Sequence, residues 1–171
     1  LFAKLALKPP YVFVGHSMGG LFIDLYAKTY KDDVAGIVFV ECPHPDEVLE
    51  HRKLKLPLLL QAVDFIFKSI DRIFGRFKHS EDESIETSIA QIQAADKFPN
   101  IPITVVTGQK RMPFMPQTAY DIHQKYQYRL LELSPLSKHY VCENSGHFPQ
   151  ISEPEEVISA IFDTLKTIKT N

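Results

Sequence analysis

Short runs of apolar and β-branched residues alternate with longer stretches in which apolar residues recur at helical spacing. The runs lie at 11–15, 35–40, 102–107 and 139–142. Continuous runs of this kind are typical of strands in a parallel sheet that is covered on both faces. Because helical stretches separate the runs, the pattern predicts an α/β fold with a mostly parallel sheet and helices on both faces.

The helical stretches predict where the main helices lie. One apolar stripe runs from the end of the first strand to Tyr30, and a long helix is predicted at about 117–133. Ser152 and Glu155, three residues apart, predict the cap of a final helix. Four apolar residues of that helix are expected to face the core. They are Val157, Ile161, Leu165 and Ile168.

The composition changes between residues 44 and 99, where prolines punctuate the chain and two helical patterns follow. We expect this segment to be a helical cap inserted into a core made of residues 1–43 and 100–171. The first cap helix, at about 58–77, combines an apolar face with lysines and arginines. It is expected to roof an apolar acyl pocket. The alternative is peripheral contact with lipid headgroups, since the helix is too charged to span a bilayer.

Composition and charge narrow the possible functions. The 171 residues suit one compact unit, and a net charge of -2 gives no basic footprint for nucleic acid. The two cysteines, Cys42 and Cys142, are expected to be buried free thiols, because another strand should separate the strands that they follow. No Cys/His cluster has metal-ligand spacing, so no metal is predicted. Residues 1–10 do not have the pattern of a signal peptide, which makes cytoplasmic the default location.

Residues 15–20 read Gly-His-Ser-Met-Gly-Gly, and they follow an apolar strand and precede a helix. A G-x-S-x-G sequence in this context predicts a sharp turn that presents a serine hydroxyl, here that of Ser17. Gly15 and Gly19 are expected because the turn is strained and because strand and helix approach closely there. The motif therefore indicates a nucleophilic serine.

With this elbow, the inserted cap and the Gly146-His147 loop near its end, the chain resembles the C-terminal part of an α/β-hydrolase. The resemblance implies the α/β-hydrolase fold from the nucleophile strand onward. It also implies a histidine base on the loop after the last strand and an acid between serine and histidine in the sequence. Members of this superfamily have further strands before the nucleophile strand. The chain therefore looks like a fragment that needs those strands, with its first strand left as an exposed edge.

The resemblance assigns roles to several residues. Ser17 is the expected nucleophile, His147 the base, and the backbone N–H of Met18 one half of the oxyanion hole. His44 is a rival to His147 and is otherwise expected to line the substrate pocket, as are His16 and Phe148. The other histidines are expected on polar surfaces or, for the last of them, just before a strand. They are His51, His79, His123 and His139.

The acid is harder to place. In many members of the superfamily it follows the strand that here ends at Thr107, but residues 108–111 contain no carboxylate. A minority have the acid one strand earlier, where Glu41 stands. Glu41 is therefore the expected acid, and Asp46 and Glu47 in the following turn remain alternatives.

These assignments predict a serine hydrolase that cleaves an ester, a thioester or a related small acyl substrate through an acyl-enzyme on Ser17. No cofactor is needed for this chemistry. An acyltransferase with the same nucleophile is one alternative. The other is a non-catalytic fragment or binding module that keeps the fold.

Overall fold

The structure is a computed structural model that describes residues 2–54, 81–113 and 115–170. Within these ranges the chain forms four strands and six α-helices. The strands are β1 (Tyr11–His16), β2 (Val34–Val40), β3 (Ile103–Gly108) and β4 (Ser137–Cys142). The helices are α1 (Gly19–Thr29), α2 (Pro45–His51), α3 (Glu81–Ala94), α4 (Gln117–Leu131), α5 (Pro149–Ser152) and α6 (Pro154–Thr170).

The four strands form one parallel sheet in the order β1-β2-β3-β4. Parallel strands need crossover connections, and helices supply them here. The predicted α/β architecture with a mostly parallel sheet is confirmed. Among the described residues β1 pairs only with β2 and forms one edge of the sheet, where the side chain of Val14 is half-exposed.

The two faces of the sheet bury different side chains because successive residues of a strand point in opposite directions. Ile37 and Phe39 of β2 belong to a cluster with Ala27 of α1 and Leu130 of α4. Their neighbours in β2 point to the other face, into a cluster with residues of α6. The main members of that second cluster are Val38, Val40, Val106, Val157 and Ala160. Helices therefore cover both faces, as the strand pattern predicts.

The final helical segment differs from the prediction in two ways. Ser152, the predicted cap, is instead the last residue of the short helix α5, and its hydroxyl donates to the carbonyl oxygen of Phe148 at 3.0 Å. Glu153 has a non-helical backbone (φ -140°, ψ 61°) and separates α5 from α6, because Pro154 disfavours helical geometry in the preceding residue.

Leu165, expected in the core, is 36% exposed. Its neighbour Thr164 is buried instead, and its hydroxyl lies 2.6 Å from the hydroxyl of Thr104 in β3. The buried stripe is shifted by one residue because α6 uses small and hydroxyl side chains against the sheet.

Only part of the predicted cap lies in the described residues. α2 begins with a capping box between His44 and Glu47, and α3 buries Ile89 and Ile92. The helix at about 58–77 and its two interpretations lie outside the described residues, as does His79. The boundaries 44–99 remain a prediction. In the part of the chain that the structure describes, no helix has the length and apolar character needed to cross a membrane.

Both cysteines are buried and free, as expected. Cys42 follows β2 and Cys142 ends β4, so β3 separates them. The thiol of Cys42 donates a hydrogen bond to the carbonyl oxygen of Gly15 at 3.0 Å. Burial raises the pKa of both thiols, that of Cys142 to about 11.

Candidate active site

The turn between β1 and α1 holds Ser17 in a strained conformation with a positive φ of 53°. The Ser17 N–H donates to the carbonyl oxygen of Val40 at 3.1 Å, which fixes the turn to the end of β2. A non-glycine residue at positive φ is uncommon and costs about 1 to 3 kcal/mol, so its surroundings must enforce it. The turn places the serine side chain at the carboxyl end of the sheet, next to the N-terminus of α1.

The glycines of the motif contribute unequally to this close packing. A Cβ at Gly15 would lie 2.7 Å from Cδ1 of Ile23, and a Cβ at Gly20 only 2.4 Å from Cβ of Cys42. The expectation for Gly19 was wrong in this respect, since a Cβ there would meet no described atom within 4 Å. The helix side of the turn is therefore tight at Gly20, one residue later than the motif predicts.

Met18 occupies the N-cap position of α1. The first amide groups of a helix have no acceptor within the helix itself. They also lie at the positive end of the helix dipole. The backbone N–H of Met18, directly after Ser17, therefore lies at the positive end of α1, and its role as an oxyanion donor stays a prediction.

The structure brings Ser17, His147 and Glu41 together from three separate parts of the chain. The Ser17 hydroxyl oxygen lies 3.1 Å from Nε2 of His147. Nδ1 of the same ring lies 3.5 Å from Oε2 of Glu41. Asp46 and Glu47, the alternative acids, contact His44 and His123 instead. Of the carboxylates that the sequence left open, the described contacts put only Glu41 beside His147.

The loop that carries His147 is held at both ends by polar contacts. Nε2 of His16 donates to the carbonyl oxygen of His147 at 2.7 Å, and the two rings lie 4.8 Å apart. On the other side, the buried hydroxyl of Ser145 donates to Oε2 of Glu153 at 2.5 Å. These contacts fix the backbone of the loop, so the His147 ring is positioned before any substrate binds.

Glu41 lies directly after β2 with a positive φ of 49°, and its side chain is only 5% exposed. Its Oε1 accepts a hydrogen bond from the N–H of Gly108 at 2.7 Å. Burial alone would raise the pKa of Glu41, but His123, His147 and this N–H outweigh burial and lower it. Glu41 is therefore a carboxylate at neutral pH.

Gly108 brings the acid and the base together. Besides its contact with Glu41, a Cβ at this position would lie 2.2 Å from the carbonyl oxygen of Gly146, next to His147. Only glycine permits this approach of β3 to the histidine loop. Gly108 was not assigned to the site from the sequence, although its position at the end of a central strand was a usable signal.

His123 departs furthest from the expectation, which placed it on a polar surface. Its side chain is 12% exposed and lies between two carboxylates, with Nε2 3.2 Å from Oε2 of Glu41 and Nδ1 2.7 Å from Oε1 of Glu47. Burial would lower the pKa of His123, but the two carboxylates outweigh burial and raise it. The missed signal was helical spacing, since Tyr126, Gln127 and Leu130 on the same helix are buried.

A cavity of about 160 Å³ opens beside Ser17 and His147. Its other described walls are Glu41, Pro43, Glu47, His51, Gly108, Lys110, Met112, Met115, Tyr120 and His123. The cavity combines the polar groups at the sheet edge with the apolar side chains of proline and methionine. This combination is typical of a small-molecule site.

The residues expected to line the pocket are placed outside these walls. His44 caps α2 through Nδ1, which accepts from the N–H of Asp46, and its ring stacks on Tyr126. The His16 ring contacts the His147 ring, and Phe148, which is about half-exposed, lies against both rings. His51, expected on a surface, is instead one of the described cavity walls.

No described group of three or more histidine, cysteine or acidic side chains is arranged to hold a metal ion. The described residues of the site place a hydroxyl, an imidazole and a carboxylate within contact distance of one another. Such a set performs acid–base and nucleophilic chemistry through its own side chains.

The parallel sheet, the strained serine turn and the histidine loop define a protein of α/β-hydrolase type. A sequence profile described as "Alpha/beta hydrolase family" matches residues 1–160. The chain belongs to the alpha/beta hydrolase family.

Solved structures of hydrolases share this fold. An alpha/beta fold family hydrolase from Bacillus anthracis str. Sterne superposes with a TM-score of 0.57 at 14% identity, covering 95% of this chain and 69% of that one. A thermophilic esterase from Thermogutta terrifontis superposes with a TM-score of 0.51 at 23% identity, covering 98% of this chain and 68% of that one. At these identities the likeness is one of fold.

One similar sequence is an uncharacterized protein from Schizosaccharomyces pombe. It is 22% identical over 138 residues, which covers 64% of this chain and 26% of that protein. The chain thus matches about a quarter of the length of this relative.

Proposed function

We propose that the chain carries the catalytic residues of a serine hydrolase that cleaves a small ester, thioester or related acyl substrate through an acyl-enzyme. The observation that carries this proposal is the contact of Ser17 with Nε2 of His147 at 3.1 Å, while Nδ1 of that ring faces Glu41 at 3.5 Å. A serine hydroxyl is a poor nucleophile at neutral pH unless a base accepts its proton during attack. A carboxylate at the other ring nitrogen, Nδ1, then orients the ring and stabilises the imidazolium that forms.

In the proposed reaction the Ser17 oxygen attacks the acyl carbon and its proton passes to Nε2 of His147. Negative charge develops on the acyl oxygen, where the N–H of Met18 stabilises it. The tetrahedral intermediate collapses, and His147 gives the proton to the leaving group as that bond breaks. Water, deprotonated by His147, then attacks the acyl-enzyme and releases the acid and free Ser17. Glu41 stays ionised throughout and stabilises the imidazolium.

The substrate class is supported by the cavity and by one structural neighbour. Met112, Met115 and Pro43 give the cavity apolar walls for an acyl group. The structural neighbour from Thermogutta terrifontis is an esterase. An acyltransferase would use the same acyl-enzyme and differ only in releasing the acyl group to an alcohol. The product formed from an activated ester with and without added alcohol distinguishes the two.

Labelling with a fluorescent fluorophosphonate tests the proposal, because this reagent forms a stable bond only with an activated serine. We expect labelling of the wild type, loss of labelling in Ser17→Ala, and strong slowing in His147→Gln. Ser134→Ala is a matched control, since it removes a buried serine whose hydroxyl donates to the carbonyl oxygen of Ile101, away from the base. A folded wild type that reacts no faster than Ser17→Ala would contradict the proposal and support the non-catalytic alternative.

A further inference from the structure

One oxygen of Glu41 faces two imidazole rings. Oε2 lies 3.5 Å from Nδ1 of His147 and 3.2 Å from Nε2 of His123, while Oε1 is occupied by the N–H of Gly108. His123 reaches this position from α4, whereas His147 comes from the loop after β4. The acid of the proposed triad therefore has a second basic partner that the triad chemistry does not require.

Glu47 contacts the opposite ring nitrogen of His123 from Glu41. Its Oε1 is 2.7 Å from Nδ1 of His123, and the Glu47 side chain is only 3% exposed. With a carboxylate at each ring nitrogen, the imidazolium form is the one that satisfies both. The contact to Glu47 is an aligned hydrogen bond, whereas Nε2 faces Glu41 without one and interacts with it mainly as a charge.

We propose that His123, held as an imidazolium by Glu47, is a positioning residue that fixes the Glu41 carboxylate and sets the pH range in which His147 is the free base. This inference rests on the proposed function for the role of His147. It does not depend on the identity of the substrate.

The charges of the cluster give the direction of the effect. With His147 neutral, the two carboxylates and the His123 cation sum to one negative charge. Without that cation, the Glu41 carboxylate beside His147 would be uncompensated and would favour the protonated imidazole more strongly, because nearby negative charge stabilises that form. The His123 cation therefore keeps His147 available as a base at lower pH.

Other polar groups face this cluster from each neighbouring element. His51 of α2 contacts the carbonyl oxygen of Ala119 at 3.0 Å, and the Tyr120 hydroxyl of α4 donates to the carbonyl oxygen of Gln109 at 2.6 Å. Lys110 lies in the cavity wall after β3 and is exposed. His16 contacts the His147 ring from the turn after β1. None of these described groups lies between Glu41 and Glu47, where only His123 supplies positive charge.

The rate of fluorophosphonate labelling as a function of pH tests the proposal. We expect His123→Gln to move the midpoint of the acid limb to higher pH by about one pH unit or more, as removal of a nearby charge does. Glutamine keeps a polar side chain but carries no charge. Lys125→Gln is the matched control, because it removes an exposed cation from the same helix, and we expect its midpoint to stay at the wild-type value.

A midpoint in His123→Gln equal to that of a labelled wild type would overturn the inference and leave the proposed function intact. A folded wild type that is not labelled would instead overturn the proposed function, on which the role of His123 depends. The two failures are therefore distinguishable.

Nitrogen-15 NMR of the histidine rings gives a test that needs no activity. We expect both ring nitrogens of His123 to carry protons at pH 8 in the wild type, and one of them to be lost near neutral pH in Glu47→Gln. A neutral His123 ring at pH 7 in the wild type would overturn the inference even if His123→Gln failed to fold.

Discussion

The nucleophile and the acid of the candidate site are built in opposite ways. Ser17 is positioned by a single contiguous stretch, residues 15–20, whose turn joins one strand to the following helix. Glu41 is positioned by groups from distant parts of the chain, namely Gly108 at the end of β3, His123 of α4 and His147 after β4. The nucleophile thus lies in a local turn that one backbone hydrogen bond fixes to the neighbouring strand β2, whereas the acid depends on contacts from three distant parts of the chain.

The largest effect on activity should come from removing the charge of Glu41. We expect Glu41→Gln to lower kcat/KM for p-nitrophenyl acetate by about 10²- to 10⁴-fold, because an amide does not stabilise the imidazolium. Asp46→Asn is the control, since Asp46 is exposed and contacts His44 rather than His147. It should change kcat/KM by less than about twofold. Equal losses of kcat/KM in the two variants would show that Glu41 is not the acid that supports His147.

An intermediate effect should separate two adjacent glycines on the nucleophile side. Gly20→Ala places a Cβ 2.4 Å from Cβ of Cys42, an overlap that we expect to lower the free energy of unfolding by about 1 to 3 kcal/mol. Gly19→Ala meets no described atom and gains helix propensity, so its stability should be unchanged or higher by up to about 1 kcal/mol. Urea unfolding followed by circular dichroism measures both. If the two variants were equally stable, the turn would be looser than the structure indicates.

The smallest effect concerns the pH dependence of stability on the acid side. Glu41 and Glu47 raise the pKa of His123 from its ordinary 6.5 to about 10. A histidine whose pKa is higher in the folded than in the unfolded state stabilises the fold fully at a pH below its unfolded-state pKa. This stabilisation is lost as the pH rises towards the folded-state pKa. The difference in unfolding free energy between wild type and His123→Gln should therefore shrink between pH 6.5 and 10, by about 1 kcal/mol or more.

The same pH series gives the control for that prediction. Lys125→Gln removes an exposed cation, so its unfolding free energy should differ from that of the wild type by a constant amount over the same pH range. A difference for His123→Gln that stays constant or grows with pH would mean that His123 is neutral in the folded protein.

The features that the sequence predicted correctly are those with short-range causes. The parallel strands follow from continuous apolar runs, and the strained turn at Ser17 follows from six adjacent residues. The break between α5 and α6 also has a local cause, Pro154, and the predicted cap at Ser152 was wrong because it left out the effect of this proline on Glu153. Leu165 was misplaced because helical periodicity does not reveal that Thr164 binds the buried hydroxyl of Thr104.

The features that the sequence did not predict depend on contacts between distant elements. Gly108 was not assigned to the site, since nothing near it in the chain indicates that the Gly146 carbonyl approaches it. His123 lies among polar residues, and a charged histidine is buried only where partners balance its charge. Those partners, Glu41 and Glu47, are 82 and 76 residues away.

The two buried cysteines give the chain an intrinsic reporter of its own unfolding. Thiol reagents react with the thiolate, and both Cys42 and Cys142 are shielded and protonated near neutral pH. A maleimide dye should therefore leave the native protein unmodified and react only with molecules that have opened. Because Cys42 contacts the carbonyl of Gly15, the rate at which Cys42 itself is modified also reports how often the serine turn loosens.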